Sequence, residues 1–155
     1  MRIAMTRNAL TVEQFQITLD VFKTWREECE QEIEQSVGSG EPPALWRQDV
    51  INEAIRQVTQ HAIEITKPVM PEGLTFDEKL DFIERHQNRV RRYVLDDDGF
   101  TATIATLSQA QEEVRHREFE GEFEALQVNY DNCKDASLEA YTDVLRLLTG
   151  EEAQL

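Results

Sequence analysis

At 155 residues the chain is long enough to bury one core, and its 40% apolar and 30% charged content excludes an intrinsically disordered polymer. Four prolines and six glycines are too few for a turn-rich β-sandwich. A formal net charge of −15, from 31 acidic and 16 basic side chains, argues against direct contact with nucleic acid or anionic membrane and favours encounter with basic partners.

The opening "MRIAMTRNAL" lacks the apolar core of a signal peptide, and residues 1–10 are expected to form a flexible segment. A first helix is predicted over 11–36. It starts at a capping box, Thr11 with Gln14 three residues on, and carries an apolar stripe of Val12, Phe15, Leu19, Phe22, Cys29 and Ile33, broken by Arg26. Glycines and prolines in "VGSGEPP" end it. Ile51, Ile55, Val58, Ala62 and Ile65 predict a second helix over 43–67, stopped by "KPVMPEG".

A third helix is expected over 75–95, opened by the capping box of Thr75 and Glu78. Its stripe is Phe76, Leu80, Ile83, Gln87, Val90 and Val94. "DDDG" then interrupts the chain, its last aspartates capping a fourth helix drawn over 101–131. That helix cannot keep one phase. At about 100° per residue, Phe119 lies roughly 120° round from Leu107, so the helix must bend, break or change neighbours near 115–121. Beyond that point Phe119, Phe123, Leu126, Tyr130 and Cys133 form a second apolar line. "NYDNCKDAS" reads as a further weak point, with a last helix over 136–149 ending at Gly150. The expected fold class is all-α: a single-domain antiparallel bundle of about four to five helices with long, coiled-coil-like hairpins.

Chemistry-bearing patterns are sparse. Glu113 and His116 have the spacing used in di-iron carboxylate bundles, but the chain holds only half of that constellation, and an exposed His–Glu pair is the simpler reading. In "VLDDDGF" a calcium loop centred on Gly99 would need a ligand at position one, where Val94 stands, and a glutamate at position twelve, where Ala105 stands. Cys29 and Cys133 fall on apolar stripes and read as buried free thiols of a reducing, cytoplasmic compartment. No glycine-rich phosphate loop or nucleophile elbow occurs, and no window is apolar enough for a membrane span. Neither an enzyme, a cofactor nor a metal is therefore expected.

Charge patterning remains. Residues 42–68 hold three acidic and three basic side chains, whereas residues 100–155 hold twelve and four, so the acid is localised. Glu27, Glu30 and Glu34 on the first helix, with Glu118, Glu120, Glu122 and Glu124 further on, are candidate contacts for a basic protein partner, with Trp46 or Tyr93 as aromatic anchors. Arg85, Arg89 and Arg92, spaced four and three apart, are expected to share a helix face that pairs with acids of a neighbouring helix or of a second copy. The functional expectation is a non-catalytic binding module of inhibitor, immunity or adaptor type. The alternative is a structural subunit of a symmetric assembly, such as a phage particle, built from copies of itself. A metal-binding bundle stands third.

Overall fold

A computed structural model of the protein describes residues 7–36, 40–66, 70–86 and 91–150. In chain order the elements are α1 (Val12–Gln35), α2 (Pro43–Gln60), β1 (Ile63–Thr66), α3 (Phe76–Arg85), β2 (Arg91–Val94), α4 (Asp97–Arg115) and α5 (Glu124–Thr149). The fold is thus mainly helical, with helices packed on one another and a small two-stranded hairpin added. No described helix is long and apolar enough to cross a membrane.

α1 begins where the capping box places it. The Thr11 hydroxyl accepts from the Gln14 amide at 3.3 Å, and the Gln14 side chain accepts from the Thr11 amide at 3.0 Å. Along α1 the buried residues are Phe15, Thr18, Phe22 and Cys29, so the 3–4 spacing selects the face that enters the core. α2 lies at the centre and packs against α1, α4 and α5. It buries Ala44, Val50, Ile51, Ala54 and Val58. Opposite stand Phe100 and Leu107 of α4 and Ala140, Tyr141, Val144 and Leu148 of α5, which complete one continuous core.

The structure departs from the sequence-based expectation at both ends of the bundle. α2 stops at Gln60, and α3 stops at Arg85, well short of the expected ends at 67 and 95. The residues "IEIT" and "RRYV" instead pair as antiparallel strands, Ile63 opposite Val94 and Thr66 opposite Arg91. Their β-branched and aromatic residues favour the pleated backbone. Leu10 extends the pairing through a bridge to Leu95, giving and accepting hydrogen bonds of 2.7 and 3.1 Å, and both side chains are buried. Arg7 donates to the Leu147 carbonyl at 2.7 Å, so the N-terminal segment is anchored from residue 7 onward, and residues 1–6 lie outside the described set.

α4 starts at Asp97, earlier than expected, because Asp96 caps it by accepting from the Gly99 amide at 2.8 Å. Gly99 faces the end of α2: a Cβ there would sit 2.9 Å from the His61 carbonyl oxygen. The expected interruption near 115–121 is present, as a loop over 116–123. The second weak point is not. α5 runs unbroken through "NYDNCKDAS", because Cys133, Ala136, Ser137 and Ala140 are buried along the helix that packs on α2. Tertiary packing outweighs the modest local preference of Asn and Asp for turns.

Two stability predictions come from this architecture. Phe22, fully buried, should cost about 3–5 kcal/mol when replaced by alanine, read from urea unfolding followed by circular dichroism. Gly99→Ala should also destabilise, by about 1–3 kcal/mol, although alanine is the better helix former, because the backbone of His61 must give way.

Candidate functional site

The two acidic runs are far apart in sequence, and the start of α2 contacts the segment that carries each. Glu27, Glu30 and Glu34 are all exposed on the second half of α1, which stops at the end of the bundle where α2 starts. Glu32 of α1 contacts Arg47 of α2 at 3.6 Å, and the next residue back, Trp46, meets Tyr130 of α5 edge-on at 5.5 Å between ring centroids. The Cys133 thiol donates to the Glu41 carbonyl at 3.4 Å, tying the start of α2 to α5. The 116–123 loop, with Glu118, Glu120 and Glu122, and the first residue of α5, Glu124, therefore share this end with the last turns of α1.

The loop is built around aromatic side chains. Phe119 packs against Tyr130 with centroids 5.5 Å apart, and the Arg117 guanidinium stands 6.0 Å from the centroid of Trp46. Lys134 of α5 donates to the Arg117 carbonyl at 2.7 Å and fixes the loop's entry. The chain then folds so tightly over Phe119 that a Cβ at Gly121 would collide with its ring. Trp46 is oriented by its indole N–H, which donates to Glu41 at 2.8 Å. Tyr130 contributes its ring, since its hydroxyl is buried with no hydrogen-bond partner.

Beside this cluster lie side chains expected in the core but found at the surface. Phe123 is 69% exposed and Leu126 54%. The predicted single line from Phe119 to Tyr130 is not formed, because α5 begins only at Glu124 and Phe123 is its cap residue. The result is a patch of mixed character, in which exposed Phe123 and Leu126 alternate along the chain with exposed Glu118, Glu120, Glu122 and Glu124. The alternation of Glu and Phe around Gly121 was the available signal for this patch; the helical reading assigned its phenylalanines to the interior.

The arginine group is not assembled as expected. Arg85 closes α3 and pairs with Asp81 on its own helix, while Arg92 sits on β2, so the two share no helix face. Arg89 lies outside the described residues. Arg92 instead helps line a groove of about 610 Å3 between the first turns of α1 and β2, beside Phe15 and Tyr93, whose ring centroids are 6.3 Å apart. This groove lies where α1 begins, at the other end of that helix from Glu34.

His116 caps α4 at its C-terminus, 78% exposed and 3.6 Å from Glu112. Among the described residues no group of three or more His, Cys, Asp or Glu side chains is close enough to share a metal ion. A cleft of about 200 Å3 beside Cys29 is lined by Glu28, Glu32, Arg47 and Asp143. Burial pushes the Cys29 thiol above its ordinary range; Arg47 pulls the other way, and Glu32, Glu28 and Glu30 add to the upward shift. Burial followed by Glu41 does the same for Cys133. Both thiols are free. No known family model, curated protein or solved structure matches the chain.

Raised thiol values have a direct consequence. A group whose pKa is higher folded than unfolded contributes stability in full below the unfolded value, about 8.5 for cysteine, and loses it as pH rises through the folded value. Iodoacetamide at about pH 8 should therefore label Cys29 and Cys133 at least tenfold more slowly in the native protein than in urea, as judged by mass spectrometry.

Proposed function

We propose that the protein is a non-catalytic, acidic helical module that docks a basic protein surface onto the glutamate-rich end of the bundle. The observation that supports this reading is the run of exposed Glu118, Glu120, Glu122 and Glu124 interleaved with exposed Phe123 and Leu126; Glu27, Glu30 and Glu34 are exposed on the second half of α1. Long-range attraction from the glutamates steers a cationic surface inward, and the apolar patch supplies the short-range, water-excluding contact that holds it. Arg117 stands over Trp46 and Arg47 pairs with Glu32, so among the described residues neither forms an ion pair with Glu118, Glu120, Glu122 or Glu124.

A second reading, a structural subunit of a symmetric assembly, gains support from one different observation. α3 leaves its apolar side chains uncovered at the opposite end.

The first reading is tested by capturing basic proteins from the native host with wild-type protein and with a Glu120→Lys, Glu122→Lys, Glu124→Lys variant. The captured partner should bind wild type at least tenfold more weakly at 300 mM than at 50 mM salt, as the screening length contracts from about 14 to 6 Å. The variant should lose most association rate, and Phe123→Ala should raise the dissociation rate with little change in salt dependence. Equal capture by the charge-reversed variant would sink the proposal.

A further inference from the structure

α3 lies between β1 and β2 in the chain and has no substantial packing against another described element. Not one of its residues is buried, and Phe76, Leu80 and Ile83 are 73%, 50% and 44% exposed. Their spacing of four and three places them on a single seam, in coiled-coil terms d, a and d. Phe82, on the far side, is already occupied by stacking on His86 at 4.2 Å.

The charges on α3 divide by face. Those turned away from the seam are used within the helix: Glu78 completes the capping box with Thr75, and Asp81 pairs with Arg85. Three flank the seam, Asp77 and Glu84 at e and Lys79 at g; Lys79 and Glu84 make no ion pair among the described residues. A g residue of one helix faces the e residue five positions on in a parallel partner. Lys79 and Glu84 are five apart and of opposite sign, so parallel pairing of two copies brings Lys79 of each beside Glu84 of the other. In an antiparallel pair e faces e and g faces g, which sets Asp77 against Glu84 and Lys79 against Lys79. The charge pattern therefore selects both the occupant and its direction.

We propose that α3 is a self-association helix that pairs in parallel with α3 of a second copy across a two-fold axis. Phe76, Leu80 and Ile83 form the seam, and two Lys79–Glu84 contacts flank it. This surface is independent of the acidic end, because the hairpin that carries it attaches where α1 begins, at the other end of the bundle. One ten-residue helix per copy buries less than the roughly 1,200 Å2 of a standard complex, so the dimer is weak and concentration-dependent.

Sedimentation equilibrium of the full chain up to about 1 mM should show monomer and dimer in exchange. Leu80→Asp should leave only monomer with a little-changed circular dichroism spectrum, since Leu80 is half exposed and outside the buried core. Lys79→Glu and Glu84→Lys should each weaken the dimer about five- to tenfold, and the two together should restore it. Ile83→Cys should form a disulfide-linked dimer under mild oxidation, while the native thiols are buried and do not compete. A monomer at 1 mM, a dimer indifferent to Leu80→Asp, or a failure of the double charge swap to recover would overturn the proposal. So would preferential cross-linking of a Phe76→Cys chain to an Ile83→Cys chain, the mark of antiparallel pairing. The Glu120→Lys, Glu122→Lys, Glu124→Lys protein should dimerise as wild type does, which separates this test from that of the acidic end.

Discussion

Burial of α2 is the constraint on which the remaining structure depends. It packs on α1, α4 and α5, and the small side chains Ala44 and Ala54, 4% and 0% exposed, let neighbours approach its backbone closely. At about 1.5 Å of rise per residue, α1 and α5, with 24 and 26 residues, outrun the 18 residues of α2 by roughly 9–12 Å. A bundle with such unequal rods must finish its ends with something other than helix. One end is finished by the 116–123 loop with its aromatic cluster, the other by the hairpin and the Leu10–Leu95 bridge. Both surfaces with unspent interaction capacity are these endings, because the inner faces of the rods are engaged in closing the core.

The distribution of charge follows the same division. Like charges at neighbouring positions repel, and a folded chain tolerates them where water and counterions screen them. Glu118, Glu120 and Glu122 lie on a loop, where side chains can splay apart, and the glutamates of α1 project from its last exposed turns. The repulsion that remains is a standing free-energy cost, which counterions relieve and added salt lowers. Arg47 and Arg117 do not cancel it: one faces the Cys29 cleft and the other lies over Trp46.

Much of the fold was legible from the residues alone. The capping boxes at Thr11 and Thr75 fixed two helix starts, since each uses a side chain and amide three residues apart and requires no tertiary context. The phase slip before Phe119 located the loop for an equally local reason, because one helix cannot present two stripes to one neighbour. Ile63–Thr66 and Arg91–Val94 were misread because a four-residue strand has too few positions to distinguish a period of two from one of 3.6. Each becomes a strand only through the other, across the whole of α3, and that pairing is invisible to any single window. The candidate surface was half legible. Its glutamates were evident from charge clustering, whereas exposed Phe123 and Leu126 were assigned to the core, since apolar spacing reports a helical face and not whether another element covers it.

The hairpin has an architectural consequence of its own. Chain leaves the bundle after Ala62 and returns at Leu95, and Ile63 and Val94 face each other as an antiparallel pair, so exit and re-entry lie a single strand spacing apart, about 5 Å. The intervening segment therefore adds no loop that the bundle must close by its own packing. It behaves as a cassette: longer, shorter or different sequences could occupy the gap between the two strands, provided that β2 keeps Tyr93 against Phe15 of α1.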